Sequence, residues 1–216
     1  GPPLCRLYRW RLEEGHLTFY ALIPCRTGSQ GIPMKNFQLL KGKPLWQWTF
    51  DAAMDSGCFT KIIVSSNGGL PLHSMNGNKA VFDNECGEPY HTNTSQLDPL
   101  IKRYADIYPE ADAWVLLQPT SPLRRAEGIR EACAIYSNGY DSLVSVEDVG
   151  DKFWRYGEAL YNYYQRKNRQ DVANALKYEN GAIYICSRDQ IQTGSRIGGR
   201  IALFHMDKES SYQIDD

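Results

Sequence analysis

The sequence predicts an α/β protein, a three-layer α/β/α sandwich built on a mostly parallel sheet. Three observations carry that expectation. Short β-rich runs alternate with helical patterns from residue 17 to residue 146, the order that builds βαβ units. The runs are apolar on both faces, as strands covered by helices on each side must be. A glycine-rich loop leaves the carboxyl end of the first run, where open α/β sheets hold their ligands.

The first strand is "LTFYALI", residues 17–23, closed by Pro24. Residues 44–56, "PLWQWTFDAAMDS", begin on proline and stop before Gly57, which marks both ends of a helix; Leu45, Trp48, Ala52 and Ala53 fall near one face. "KIIVSS", residues 61–66, reads as a buried strand, and "NGGLP" as the turn after it. Residues 95–107 form a helix over "LDPLIKRYADI", residues 113–118 ("AWVLLQ") a strand broken by Pro119, residues 127–136 a helix, and residues 142–146 ("SLVSV") a strand. Right-handed crossovers between such strands place helices on both faces of the sheet. The regularity stops at residues 150–178, where Tyr156, Tyr161, Tyr163 and Tyr164 mix with Arg155, Arg166, Lys167 and Arg169. A stretch this long without a period is either an excursion with a purpose or a mobile segment. "NGAIYIC", 180–186, and "IALFHM", 201–206, resume as strands. Residues 1–16, which begin Gly-Pro, are set aside as a tag or an unassigned extension, leaving one domain over 17–216.

A chain of 216 residues buries roughly 70% of its unfolded surface, enough for an ordinary core. The formal net charge of −1 gives no bulk field to attract nucleic acid or a membrane surface, so any anion site is local. The six cysteines, Cys5, Cys25, Cys58, Cys86, Cys133 and Cys186, are scattered, with no CxxC pair. That spacing argues against zinc and against a disulfide scaffold, and favours free thiols in a reducing cytoplasm. No apolar run approaches the ~20 residues of a membrane span, and the N-terminus lacks the apolar core of a signal peptide.

The first loop is "IPCRTGSQGIPMKN", residues 23–36. Gly28 and Gly31 permit backbone geometries that turn N–H groups inward into an anion-binding concavity. Arg26 and Lys35 add positive charge, and Thr27 and Ser29 add hydroxyl donors. The loop is neither GxxxxGK[ST] nor GxGxxG. On its own it supports two readings, a triphosphate cradle or a plain glycine turn carrying two surface cations.

The loop as "IPxRxGSxGIPxKN" resembles the signature of the CMP-sialic-acid synthetases, the acylneuraminate cytidylyltransferases. "LLKGKPLWQWTFDAAMDSGCFTKIIVSS", "LLQPTSPLR" at 116–124, "DSLVSV" at 141–146, "NGAIYI" at 180–185 and "ESSYQIDD" at 209–216 follow in that family's order. The resemblance implies a nucleotidyltransferase with a Rossmann-like, glycosyltransferase-A-like sheet. It would transfer CMP from CTP to the anomeric hydroxyl of a nonulosonic acid, release pyrophosphate, and use Mg²⁺. It implies that Arg26 and Lys35 are catalytic, and that Thr27, Gly28, Ser29, Gln30, Asn36 and Asn93 join them in holding CTP. For Lys35 a surface charge, and for Asn36 a helix cap, are the other readings. It implies sugar contacts from Gln118, Arg124, Arg169, Gln170, Asn180 and Gly181. Here too there are bland readings: a polar strand end for Gln118, a surface pair for Arg124, an exposed cation for Arg169, and a structural turn for Asn180 and Gly181. It implies metal binding by Asp215, with Gln213 offering a carbonyl oxygen. It also implies a homodimer, paired through an excursion at about 150–178, and a further C-terminal helix that this chain lacks.

Four positions depart from the family pattern. Gln30 stands where a lysine is usual, Asn93 where "DTAS" is usual, Asn67 in place of an aspartate, and Gln213 in place of the first of two carboxylates. A cation lost beside a triphosphate removes a charge-assisted contact of ~1.5–3 kcal/mol. Mg²⁺ keeps several waters, so one carboxylate plus substrate phosphate can suffice. The departures motivate an alternative, a degenerate homologue that binds nucleotide or sugar with little turnover.

Overall fold

The computed structural model describes residues 17–28, 31–71, 79–92, 95–150, 153–160, 164 and 176–214. Strand β1 (Phe19–Pro24) turns Phe19, Ala21 and Ile23 to one face and Tyr20 and Leu22 to the other, all buried. Each Leu or Ile taken fully out of water contributes ~1.5–3 kcal/mol, so a one-residue slip of this strand would exchange its two faces. After the first loop, a 3₁₀ turn at Lys35–Phe37 leads into a tight hairpin of β2 (Leu39–Leu40) and β3 (Lys43–Pro44).

Helix α1 (Leu45–Ser56) starts after Pro44 and ends at Gly57, whose φ of 70° is the left-handed cap the sequence leads one to expect. Its buried stripe is Leu45, Trp46, Thr49, Phe50, Ala53 and Ser56. This corrects the expected face at Trp48, which sits on the flank. There its indole Nε1 donates to Leu40 O at 3.1 Å and Lys43 Nζ lies 4.4 Å from its ring centre. A tryptophan with one polar end settles where that end finds a partner.

The chain continues through β4 (Phe59–Ser65), β5 (Ala80–Asp83), α2 (Leu97–Ile107), β6 (Ala113–Leu117), α3 (Ala126–Tyr136) and β7 (Ser142–Gly150). A two-residue-per-strand hairpin follows, β8 (Trp154–Arg155) with β9 (Glu158–Ala159), and then β10 (Leu176–Ser187), α4 (Arg188–Gln192) and β11 (Ile201–His205). Among the described residues, seven strands form one sheet in the order β11-β7-β10-β6-β1-β4-β5. β1 runs parallel to β4 and β6, β4 to β5, and β7 to β11, whereas β10 is antiparallel to both β6 and β7. Helices α1 and α3 cover one face, with Trp46, Phe50, Ile129 and Tyr136 in its core. Helices α2 and α4 cover the other, with Leu100, Ile101, Tyr104 and Ile191. The three-layer expectation thus holds, with one reversed strand inside it.

Among the elements of the three main layers, two are absent from the sequence reading. Edge strand β5 is four residues long and only partly buried, and α4 is five residues long; both are too short to display a period. Of the 150–178 excursion, residues 151–152, 161–163 and 165–175 lie outside the described residues, as do residues 1–16. Among the described residues no helix is long and apolar enough to cross a membrane.

Candidate functional site

The loop after β1 is fastened from three directions. Cys25 N donates to Ser65 O at 2.7 Å and Ser66 Oγ to Cys25 O at 2.6 Å, which hold the loop's root against the end of β4. Thr27 donates from both N (2.9 Å) and Oγ1 (3.0 Å) to Asn67 Oδ1. Arg26 Nη1 donates to Thr92 O at 3.0 Å, while buried Asn36 donates from Nδ2 to Arg26 O at 3.1 Å. Met34, at φ 48°, bends the chain into the 3₁₀ turn that carries Lys35. The described parts of the loop, residues 24–28 and 31–36, are thus tied to their surroundings on either side of its two cations.

That loop is one wall of a cavity of about 250 Å³, formed by Arg26, Gly28, Lys35 and Asn36. Tyr90, His91, Thr92 and Ser95 line it from the segment before α2. Gln118, Pro119 and Thr120 line it from the end of β6. Among the described lining residues there are two cations and no carboxylate, so the cavity attracts anions although the chain as a whole is slightly acidic. It lies at the carboxyl ends of β1, β4 and β6, the place expected for a ligand in such a sheet.

Behind the Gln118 side of the cavity lies a break in the pairing of β10 with β7, between Glu179 and Tyr184. Asn180, 1% exposed, accepts at Oδ1 from Ser145 Oγ (2.6 Å) and Ala182 N (3.2 Å), and donates from Nδ2 to Ser211 Oγ (2.9 Å). One carboxamide thereby ties β7, β10 and the C-terminal segment together. Gly181 follows at φ 68°, a conformation other residues adopt only under strain. A Cβ there would collide with Gln213 Nε2 and come within 3.3 Å of Gln118 Nε2. The glycine therefore lets two carboxamides converge beside the cavity. Ile214 N donates to O of cavity-lining Thr120 at 2.8 Å, pinning the C-terminal segment at the rim.

Arg124 is placed otherwise than expected. It is neither at the surface nor among the lining residues of this cavity; it is 3% exposed. Its Nη1 and Nη2 both donate to Gln118 O at 3.2 Å, Nη2 to Thr49 Oγ1 at 2.7 Å, and Nη1 to Ala182 O. Burial pulls its pKa down to about 9, which still leaves it charged at neutral pH. The partners are neutral oxygens in the interior, and a guanidinium that supplies several of them with donors at once is satisfied there. Arg124 thus clamps the β6 end that presents Gln118.

The structure brings Arg26, Gly28, Lys35, Asn36 and Gln118 into one cavity and sets Gly181 and Gln213 beside Gln118. Thr27, Arg124 and Asn180 spend their polar groups on protein partners instead. Ser29, Gln30, Asn93, Arg169, Gln170 and Asp215 lie outside the described residues. Sequence reasoning missed Asn67 as a fastener of the loop, and His91, Thr92 and Thr120 as lining residues. A polar run, "EPYHTNTS", was the available signal for the middle pair. For a divalent cation, the Gln213 carboxamide oxygen is a hard neutral donor compatible with Mg²⁺. Among the described residues no group of three or more His, Cys, Asp or Glu could hold a metal.

Residues 20–68 match a family model described as cytidylyltransferase. The chain is 32% identical to an N-acylneuraminate cytidylyltransferase of Escherichia coli, over 91% of this chain and 49% of that one. It is 31% identical to N-acylneuraminate cytidylyltransferase A of Danio rerio, over 95% of this chain and 49% of that one. It is 34% identical to a CMP-N,N'-diacetyllegionaminic acid synthase of Legionella pneumophila, over 79% of this chain and 78% of that one. The chain thus spans about half the length of the first two relatives. Its fold matches a structure of CMP:2-keto-3-deoxy-manno-octonic acid synthetase complexed with CTP, at a TM-score of 0.60 and 16% identity, covering 88% of this chain and 90% of that one. It also matches a 4-diphosphocytidyl-2C-methyl-D-erythritol synthase from Anaerococcus prevotii, at 0.62 and 11%, covering 95% and 93%. The Legionella relative is matched over most of both chains. This chain belongs to the acylneuraminate cytidylyltransferase family, the CMP-sialic-acid synthetases.

Proposed function

We propose that this chain transfers CMP from CTP to the anomeric hydroxyl of a nonulosonic acid and releases pyrophosphate. One observation carries the reading: a cation-lined loop at the end of β1 shares a single cavity with Gln118 at the end of β6, beside which Gly181 and Gln213 stand. Triphosphate suits the first wall and a polyhydroxylated acid the second. In the reaction the sugar oxygen forms a bond to the α-phosphorus, the bridge to the β-phosphate breaks, and the hydroxyl proton leaves to solvent. Such transfer asks the protein for positioning and charge stabilisation rather than covalent chemistry. Arg26 and Lys35 would hold the phosphates, Asn36 the nucleoside side, and Gln118 with Gly181 the sugar. Ser29, Gln30 and Asn93 on the nucleotide, and Arg169 and Gln170 on the sugar, are assigned by family resemblance. Mg²⁺ is assigned to Asp215 and Gln213; when bound, it neutralises phosphate charge. The names of the relatives leave sialic and legionaminic acids as the first substrates to try.

Pairing into a homodimer through the 150–178 region is part of the same reading. It is supported by the exposed apolar surface of Tyr156, Leu160, Tyr164, Leu176 and Tyr178, because aromatic residues are enriched where interfaces form. Sedimentation at micromolar concentration checks it, and a monomer refutes it.

A second reading, a homologue that binds without efficient turnover, is favoured by one observation: Gln213 sets a neutral carboxamide beside Gly181, at the position where the family resemblance leads one to expect a carboxylate. Pyrophosphate release with CTP, Mg²⁺ and a panel of sialic, legionaminic and pseudaminic acids separates the two. Turnover supports the first reading. Thermal stabilisation by CTP without turnover supports the second, and no stabilisation by any nucleotide refutes both.

A further inference from the structure

A buried chain of polar side chains runs from the cavity into the sheet. His91 is buried and lines the cavity. Its Nε2 lies 2.9 Å from Ser65 Oγ at the end of β4. Tyr104 Oη, on α2, lies 2.7 Å from Ser65 Oγ and 2.7 Å from Asp83 Oδ2 on β5. The other Asp83 oxygen accepts from Glu85 N at 2.9 Å, and Arg103 Nη2 stands 3.9 Å from Oδ2.

The protons in this chain can be counted. A carboxylate has none to offer, so the Tyr104 proton goes to Asp83. The contact between Tyr104 and Ser65 then needs the Ser65 proton, and the contact between Ser65 and His91 needs a proton on Nε2. Neutral His91 is thereby held as the Nε2–H tautomer, which leaves Nδ1 as a lone-pair acceptor. Nδ1 makes no hydrogen bond to any described residue. Burial, with a smaller contribution from nearby Arg26, lowers the His91 pKa to about 4 against the opposing pull of Asp83. The ring is therefore uncharged at neutral pH.

We propose that His91 Nδ1 is a specificity-determining acceptor that reads a hydrogen-bond donor on the nucleoside, and that Ser65, Tyr104 and Asp83 act as positioning residues that hold its tautomer. The inference rests on the CTP reading above. It follows from contrast within the cavity: Arg26 and Lys35 are donors suited to phosphate oxygens, and ionised phosphate has no proton to give to Nδ1. A nucleoside offers two sources of such a donor, the 4-amino group of cytosine and the ribose hydroxyls.

The test uses the full chain, with CTP, UTP and 2′-deoxy-CTP titrated calorimetrically into wild type and His91→Gln. Glutamine keeps an N–H for Ser65 and removes the acceptor at the δ position. CTP is expected to bind the variant about two- to tenfold more weakly, the loss of one hydrogen bond. If the 4-amino group is the donor, the variant narrows the preference for CTP over UTP; if a ribose hydroxyl is, it narrows the preference for CTP over 2′-deoxy-CTP. Unchanged affinities for all three overturn the proposal. A wild-type chain that binds none of them refutes the CTP reading instead, and the two failures are distinct. A second readout needs no variant: long-range ¹⁵N–¹H correlation of the histidines should find His91 protonated at Nε2. Tyr104→Phe, which touches no ligand, should shift it toward Nδ1–H and weaken CTP binding. An Nδ1–H tautomer in the wild type overturns the proposal outright.

Discussion

The two walls of the cavity are built on opposite plans. The wall after β1 is half-exposed and cationic, and its polar ties run mostly to backbone carbonyls and to one asparagine, Asn67. Behind the side at the end of β6 lies a buried web in which Arg124, Asn180, Ser145 and Ser211 are spent on protein partners, while Gln118 and Thr120 reach the cavity. A field acts over several ångströms and tolerates small displacements, whereas a hydrogen-bonded shape does not. On the function proposed above, the first wall concerns binding, and the second concerns stability and sugar geometry together.

Four substitutions would break or sharpen that contrast. Arg124→Met should have the largest effect, because it removes the buried guanidinium donors to two carbonyls and a hydroxyl. A loss on the order of 3 kcal/mol is expected, lowering Tm by roughly 6–12 °C in calorimetry. A Tm unchanged within about 2 °C would mean that the clamp holds nothing. Arg26→Ala should do the reverse, weakening CTP binding about 10- to 100-fold with little change in Tm. If its Tm falls as far as that of the Arg124 variant, the walls are not separate in kind. Gly181→Ala comes next, combining left-handed strain of ~1–2 kcal/mol with the collision against Gln213. It should raise KM for the sugar acid by about tenfold while leaving CTP affinity intact; loss of CTP affinity instead would place the nucleotide on the wrong wall. Gln30→Lys should have the smallest effect. Of the ~1.5–3 kcal/mol that a charge-assisted contact carries, a lysine sharing the phosphates with Arg26 and Lys35 is expected to add about 0.2–1 kcal/mol, and equilibrium titration should find CTP bound up to about fivefold more tightly in low salt. A neutral outcome would show a loop already sufficient in charge.

Much of the first wall was legible in the sequence, because its chemistry is local. Arg26, Gly28, Lys35 and Asn36 stand within a few residues of one another, after a strand whose end is marked by Pro24. The second wall was legible only in part. Gln118 and Gly181 could be named from their motifs, but Arg124 could not be assigned its work. A charged residue in a turn reads as surface until the carbonyls of Gln118 and Ala182, from two different strands, are seen to converge on it. His91 was missed for a related reason: its partners Ser65, Tyr104 and Asp83 come from three separate elements.

Alternation of short apolar runs with helices, and a proline before α1 with a glycine after it, were enough to determine the layered class and most element positions, while the glycines and cations of the first loop pointed to phosphate only together with the family resemblance. Those features act between near neighbours in the chain, and periodicity and caps record them. The reversal of β10, the edge strand β5, the flank position of Trp48 and the interior place of Arg124 were decided only by tertiary structure. Each depends on which distant backbone groups are left to be satisfied once the sheet has closed, and no window of sequence contains that information.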